Sequence, residues 1–244
     1  MSDRFPQLFW GLVAVGVALV GAAIIGGNAL RDVKRANDVI TVTGSARRPI
    51  RSDFIIWRGS VTIQNPSLEQ AYAELKRDAD RVRRYLGAHG VPDSAVIVHP
   101  VDVGTIQQFE KGGGETGKIA SYRLMQSFEI RSSDVDGITR LSQQIGELIA
   151  DGVPLTSPPP EYHFTKLSEM RVQMLAEATK DARARAQVLA ENAGGRIGPV
   201  RSADMGVFQI TPRYSTEVSG YGMNDITSRD KDITAVVHVT FAVE

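Results

Sequence analysis

Lys166 to Ala193, KLSEMRVQMLAEATKDARARAQVLAENA, is the stretch that decides the fold. Its apolar residues and alanines recur at steps of three and four, the period of an α-helix: Leu167, Met170, Met174, Ala178, Ala182, Ala186, Leu189 and Ala193. Such a helix would be roughly 40 Å long at ~1.5 Å per residue. Because its apolar stripe is mostly alanine, we expect the layer beneath it to approach closely.

The composition limits the classes of protein that this chain can belong to. Its 244 residues suffice for one large or two small domains. The 28 basic and 28 acidic residues balance, whereas a nucleic-acid-binding domain usually has a basic excess. The chain has no cysteine, which excludes a disulfide framework, a thiol nucleophile and a cysteine-ligated metal.

The N-terminal segment predicts a membrane anchor. Leu8 to Gly26, LFWGLVAVGVALVGAAIIG, carries no charge, and about 20 helical residues span the hydrocarbon core of a bilayer. A cleaved signal peptide is one alternative, with Gly27-Asn28-Ala29 as a small-residue cleavage site, although its apolar region is normally ~7–15 residues. A buried core helix is the other alternative.

The basic residues that flank this segment leave its orientation open. Arg4 and the terminal amine favour a cytoplasmic N-terminus, whereas the basic residues at 31, 34 and 35 favour the opposite orientation. We predict two regions: residues 1–35 as anchor and juxtamembrane segment, and residues 36–244 as the main domain.

The sequence pattern of residues 36–244 predicts alternating strands and helices. β-branched and alternating segments predict strands at residues 39–46, 54–64, 96–109, 122–131, 162–164, 200–211 and 233–243. Amphipathic helices follow Ser67, which has a capping-box spacing with Gln70, and Asp134. We predict a β-bulge at Gly59 and an edge position or bulge at Pro100.

These elements predict an α+β fold, in which helices pack on one face of an antiparallel sheet. A weak internal repeat of strand, helix, strand, glycine-rich loop and strand runs from about Phe54 to Arg131 and again from about Tyr162 to Val243. The helix that starts near Asp134 joins the two units.

One motif resembles a nucleotide-binding loop. Gly112 to Lys118, GGGETGK, matches the first seven positions of a P-loop, but Ile119 replaces the hydroxyl residue that holds magnesium. A P-loop also opens a helix, whereas a strand follows here. The segment is better interpreted as a hairpin loop.

No set of residues predicts catalysis or metal binding. The four histidines are His89, His99, His163 and His238, and none pairs with another at a ligand spacing such as i, i+4. The sequence also has no G-x-S-x-G elbow. The charged side chains between Lys180 and Glu191 are interpreted as a solvated helix face with local ion pairs. We assign no catalytic, cofactor-binding or metal residues and predict no cofactor.

Three functional hypotheses follow. The first is a membrane-anchored, non-enzymatic assembly protein, because exposed strand edges invite pairing between chains. The second is a module that binds a peptide, lipid or protein partner. The third is a hydrolase, for which neither a nucleophile nor a base can be assigned. The predicted interfaces are the strand edges and the loop Pro212–Lys231.

Three segments resemble the SIMPL (DUF541) family, which includes the 26 kDa periplasmic immunogenic proteins of bacteria. They are Ile40–Ala46 (ITVTGSA), Leu86–Asp93 (LGAHGVPD) and Ala176–Val200 (AEATKDARARAQVLAENAGGRIGPV). The resemblance spans about Val39 to Glu244.

The resemblance implies a periplasmic, ring-forming domain with no established catalytic residues, and a link to oxidative-stress tolerance. With the apolar N-terminus, it favours a single-pass protein of the bacterial inner membrane whose main domain lies in the periplasm. The expected partners are the membrane and further copies of the chain, without nucleic acid.

Overall fold

The computed structural model describes residues 5–35, 38–110, 112 and 114–244, with side chains described for all of these except 5–9, 26–35 and 115. Arg4 and Gly113, which entered the predictions of orientation and of the P-loop-like motif, lie outside the described residues. The α-helices of the described part are α1 (Phe5–Arg35), α2 (Leu68–Ala88), α3 (Val135–Gln144), α4 (Gly146–Ala150) and α5 (Leu167–Asn192).

The strands form two sheets. The strands of the described part are β1 (Val39–Arg51), β2 (Phe54–Asn65), β3 (Val96–Val98), β4 (Asp102–Phe109), β5 (Glu115–Ser132), β6 (Leu155–Thr156), β7 (Glu161–His163), β8 (Ile197–Met205), β9 (Gln209–Pro212), β10 (Met223–Asn224) and β11 (Asp230–Val243). The first sheet has the order β1-β11-β9-β10, and β8 also pairs with β11. The second has the order β3-β5-β2-β6, with β4 on β5 and β7 on β2.

The predicted class is confirmed as mixed α+β with antiparallel sheets, and the strands and helices of the predicted repeat follow one another in the predicted order, although its two copies differ in strand pairing. β7, the expected first strand of the second repeat, pairs with β2 in the second sheet. β8 and β11, the expected last strands of that repeat, pair with each other in the first sheet. Strand pairing depends on tertiary contacts that a local pattern does not contain.

The chain divides into two compact units. The first comprises Met1–Arg47, Arg171–Phe208 and Thr234–Glu244, and the second comprises Arg48–Met170 and Gln209–Ile233. β1, α5 and β11 therefore contribute residues to both units.

The first unit is organised by the contact between α5 and β1. A Cβ built on Gly44 of β1 would lie 2.1 Å from the carbonyl oxygen of Ala178 and 2.6 Å from the Cβ of Ala182. No side chain fits in that space, so the strand and helix backbones approach as closely as their van der Waals surfaces allow. Next to this contact, the Ser45 backbone N–H donates to Oδ2 of Asp181 at 2.9 Å.

The buried stripe of α5 has a longer period than the sequence predicted. The fully buried positions recur at steps of four: Met174, Ala178, Ala182, Ala186 and Ala190. By contrast, Leu189 is 53% exposed and Ala193 lies beyond the end of the helix. A row at steps of four is inclined to the helix axis. The stripe predicted at Leu189 and Ala193 was therefore wrong, and Ala190 takes its place.

The second unit packs α2 and α3 on one face of the second sheet. Alternate residues of β2 are buried, as expected for a strand with one covered face. Trp57 is fully buried, meets the ring of Phe128 edge-on at 5.9 Å, and donates from Nε1 to the hydroxyl of Ser157 at 3.0 Å. The Ser67 hydroxyl accepts from the Gln70 backbone N–H at the start of α2, which confirms the predicted cap.

Gly59 does not form the predicted bulge. It pairs in regular register with Phe128 across β2 and β5. A Cβ on Gly59 would lie 2.4 Å from Cζ of Phe128. The glycine therefore provides room for the aromatic ring of its cross-strand neighbour.

Three other elements are interrupted where the sequence predicted continuity. The predicted strand 96–109 is divided into β3 and β4 on either side of Pro100, because proline has no N–H to donate. The helix after Asp134 is divided at Ile145 into α3 and α4. The strand predicted at 200–211 is divided into β8 and β9.

α1 contains the apolar segment in which the anchor is predicted. Within the part of the chain that the structure describes, no helix combines the length and the apolar character needed to cross a membrane.

The α5–β1 contact predicts a strong effect of adding one methyl group. Gly44→Ala should lower the free energy of unfolding by about 1–3 kcal/mol, because the new Cβ overlaps helix backbone atoms. Urea unfolding of the full chain measures the change. Gly104→Ala in β4 is the matched control, since its nearest contact is an ordinary 3.8 Å; equal stability losses in the two variants would contradict the packing described here.

Candidate functional site

The histidines lie at four separate places in the fold. His89 caps the C-terminus of α2, His99 lies between β3 and β4, His163 lies in β7 and His238 lies in β11. Each described ring contact is local or to one neighbouring strand, such as Nδ1 of His238 at 2.9 Å from the hydroxyl of Thr43. Among the described residues, no group of three or more histidine, aspartate and glutamate side chains could hold a metal ion.

A charged cluster lies on β2, β5 and β7. Arg58 is the cross-strand neighbour of Glu129, and its Nε donates to Oε2 of Glu129 at 2.6 Å. Its Nη1 donates to Glu161 at 2.5 Å, and Arg131 also donates to Glu129. His163 lies beside Glu161, with Nε2 at 3.4 Å from Oε2. Because the buried side chain of Trp57 lies in the core and successive side chains of a strand alternate, the side chain of Arg58 lies on the opposite face of the sheet.

The cluster keeps its buried carboxylate ionised. Burial of Glu129, which is 6% exposed, opposes ionisation, but hydrogen bonds from Arg58 and Arg131 outweigh it and hold the pKa of Glu129 below its usual value. The bonds to Glu129 and Glu161 in turn raise the pKa of the Arg58 guanidinium. The pair of Arg58 and Glu129 is therefore ionised near neutral pH, which suits sheet stabilisation or polar recognition better than proton transfer.

Lys231, at the end of the predicted loop Pro212–Lys231, is a buried cation. It is 1% exposed, and its Nζ donates to the carbonyl of Tyr162 at 2.6 Å and to the carbonyl of Asp225. Burial lowers the pKa of the Lys231 ammonium, and the Asp225 carboxylate partly offsets that effect. An amine enclosed in this way ties β11 to β7 and to the loop, and it is not accessible as a nucleophile.

The P-loop-like motif forms the turn between β4 and β5. The Glu110 N–H donates to the carbonyl of Gly114 at 2.8 Å, and Gly117 has φ = +70°. A strand begins at Glu115 where a P-loop would start a helix. The hairpin interpretation is therefore confirmed.

The end of this hairpin, which we name the hairpin arm, comprises residues 106–109 and 115–121. β2 pairs with β5 only from Tyr122 onward, so within the described sheet the arm is paired through β4 and β5 alone. Phe109 is 60% exposed at its end and Ile119 is 45% exposed. The arm therefore presents apolar side chains on an open strand edge.

A groove, which we name the α2 groove, lies between α2 and the β3 side of the second sheet. Its volume is about 220 Å³, below the roughly 300–1,000 Å³ of typical ligand pockets. Its walls are mostly apolar, and include Leu75, Val82, Leu86, Val96, Val98 and Phe128. Lys76, Asp80 and Arg83 line it from successive turns of α2.

Residues 213–222 form a tyrosine-bearing loop. Tyr214 is 80% exposed, Val218 is 82% exposed and Tyr221 is fully exposed. Tyr214 has φ = 66°, which is uncommon for a residue with a side chain.

Side chains of the first sheet hold the base of this loop. The Tyr214 N–H donates to Oδ2 of Asp232 at 3.1 Å. Nε2 of Gln209 donates to the carbonyl of Ser219 at 2.6 Å, and the Ser219 N–H donates back to Oε1 of Gln209 at 3.4 Å. The loop is fixed at its base while its apolar side chains point into solvent.

The architecture is that of an α+β domain with exposed strand edges, and the comparison with protein families gives its class. The model of the SIMPL family, described as a protein of unknown function (DUF541), matches residues 40–241. The chain belongs to the SIMPL family. No curated protein matches it.

The charged cluster predicts a pH-dependent contribution to stability. Because the folded-state pKa of Glu129 lies below its unfolded value, this contribution is present above about pH 4.5 and is lost as the pH falls through the folded-state pKa. Glu129→Gln should therefore cost about 1–2 kcal/mol at pH 7 and progressively less in acid.

Urea unfolding at pH 7, 5, 4 and 3 measures this difference. Glu217→Gln, at an exposed position of the tyrosine-bearing loop, is the control and should change stability little at any of these pH values. A destabilisation by Glu129→Gln that stays constant across the series would contradict the ionised network.

Proposed function

We propose that this SIMPL-family chain is a membrane-anchored, non-enzymatic assembly protein whose main domain forms a homo-oligomeric ring. The observation that carries the proposal is the presence of open strand edges with exposed apolar side chains, among them β4 and β8. β4 presents Val103 and Phe109 at 53% and 60% exposure, and β8 presents Val200 and Met205 at 52% and 62%.

Such edges favour contact with another chain. The N–H and C=O groups of an edge strand are a template for strand pairing, which charged residues and prolines limit. β8 contains Pro199, Arg201 and Asp204, but its side chains are exposed along seven of its nine residues. A second copy of the chain would cover both the backbone groups and the apolar side chains.

A ring is the assembly that suits a chain with two different open edges. When one surface of a subunit binds a different surface of the next, the contact repeats until the rotation closes. The resemblance to ring-forming members of the family supports the same architecture.

The membrane anchor rests on the sequence of α1 and on the exposure of its side chains. Leu8 to Gly26 is free of charge. The described large apolar residues of this segment are exposed, including Trp10, Leu12, Val17 and Ile25 at 66–73%. Apolar side chains on this scale are normally covered, and hydrocarbon would cover them. We place the protein in the bacterial inner membrane as a single-pass protein, with the main domain in the periplasm.

A non-enzymatic role agrees with the state of the charged side chains. Glu129 is held by two arginines, and Lys231 is buried against carbonyl groups. A link to stress tolerance, which the family resemblance implies, would then act through the assembly rather than through a reaction.

The tyrosine-bearing loop supports a second candidate function, an envelope module that binds a peptide, lipid or protein. Tyrosine, serine and glycine are the residues that recognition loops favour, and residues 213–222 read RYSTEVSGYG. A bound partner would cover Tyr214 and Tyr221, which are the most exposed aromatic side chains described.

The mass of the detergent-extracted protein distinguishes the two functions. If the protein forms a ring, we expect one species whose mass, corrected for bound detergent, is an integer multiple of the 26.5 kDa of one chain. This species should persist on dilution to micromolar concentration. Analytical ultracentrifugation with a density-matched detergent measures it. A strict monomer at that concentration would reject the ring and leave the binding module as the better account.

A further inference from the structure

The hairpin arm and the α2 groove have complementary shapes and chemistry. Phe109 is the largest exposed apolar side chain of the arm, and the α2 groove is a mostly apolar space of about 220 Å³. This space suits one aromatic side chain better than a drug-sized ligand. Tyr72 and Val98, at 55% and 43% exposure, form the part of its wall that is open to solvent.

The charges at the two surfaces also match. Glu110 directly follows Phe109 and is exposed. Lys76 and Arg83 line the α2 groove, and within the described part of the chain neither forms an ion pair. The groove has one acidic lining residue, Asp80, so its three charged residues leave an excess of one positive charge.

The arm cannot fill the groove of its own chain. Phe109 pairs with Glu115 at one end of β5, whereas the groove meets β5 at Gln126 to Phe128. These positions are about 35 Å apart along an extended strand at ~3.3 Å per residue. The occupant must therefore come from another molecule.

We infer that Phe109 of one copy inserts into the α2 groove of a second copy, with Glu110 beside Lys76 and Arg83. This inference rests on the proposed self-assembly and adds the α2 groove to the strand edges as a surface of contact between copies. The contact joins two different surfaces, so it repeats from chain to chain and gives a ring when it closes. Phe109 is the central anchor of the contact, and the pairs to Glu110 fix its register.

The absence of cysteine from the chain allows a direct test by cross-linking. Full-length Gln108→Cys and Val98→Cys variants, which both keep Phe109 and Glu110, are mixed in detergent and oxidised with copper phenanthroline; Gln108 is exposed beside Phe109. Because disulfides need Cα atoms about 4.4–6.8 Å apart, we expect a covalent dimer from the mixture and none from either variant alone. A chain that carries both substitutions should give a ladder of covalent oligomers.

Gln108→Cys mixed with Ile149→Cys is the matched control, because Ile149 is 52% exposed on α4, outside both surfaces. Cross-linking no stronger than in this control, or equally strong with Gln108→Cys alone, would overturn the inference. If the uncross-linked protein still has the mass of an oligomer, the proposed ring survives that result; a monomer overturns both.

A second measurement does not depend on disulfide geometry. Phe109→Ala should weaken self-association about 10- to 100-fold, as expected for an aromatic anchor at an interface, whereas Ile149→Ala should leave it unchanged. Glu110→Lys should also weaken association, and Lys76→Glu with Arg83→Glu in the same chain should restore it. Unchanged sedimentation of both Phe109→Ala and Glu110→Lys would contradict the arm-in-groove contact.

Discussion

The close approach of α5 to β1 at Gly44 is the constraint on which the first unit depends. The strand lacks a side chain at the point of contact, and the helix presents alanine at positions 178 and 182. Neither surface can be enlarged without separating the two elements. The adjacent hydrogen bond from the Ser45 N–H to Asp181 is a second contact between the strand and the helix. It also holds the pKa of the Asp181 carboxyl below its usual value. Asp181 in turn pairs with Arg185 at 2.9 Å.

Much of this packing was predictable from the sequence, because it is local. The span of α5, its alanine stripe and the cap at Ser67 follow from residues that are close in the chain. Strand pairing was not predictable, because nothing local distinguishes the sheet that β7 joins from the sheet that contains β8 and β11. Gly59 shows the same limit: a glycine within a strand is typical of a bulge, but here it faces the ring of Phe128, which lies far away in sequence.

The candidate surfaces divide in the same way. The strand edges and the loop Pro212–Lys231 are predicted as interfaces, and this stays a prediction; both carry exposed apolar side chains. The α2 groove and the buried Lys231 were missed. Tyr72 lies in the amphipathic helix that the sequence predicts after Ser67, and its side chain is exposed at the groove, whereas that of Leu75 is buried. A helical period shows which residues share a face, and it does not show how much of that face a sheet covers.

The proposed function depends on the exposed surfaces of the protein and not on side chains of its interior. The charged side chains of the cluster satisfy one another, and the buried lysine is enclosed by backbone carbonyls. By contrast, the edges of β4 and β8 and the apolar α2 groove are open to solvent. Burial of these surfaces between copies would remove apolar area from water, the dominant favourable contribution to most protein association.

Electron cryomicroscopy of the intact protein, extracted in detergent with its N-terminal segment, distinguishes an assembled ring from a single subunit. We expect a closed ring of identical contacts, with the apolar segments gathered in one detergent belt. Isolated subunits without rotational symmetry, whose strand edges are covered by their own chain or whose groove contains a bound small molecule, would overturn the proposed self-assembly.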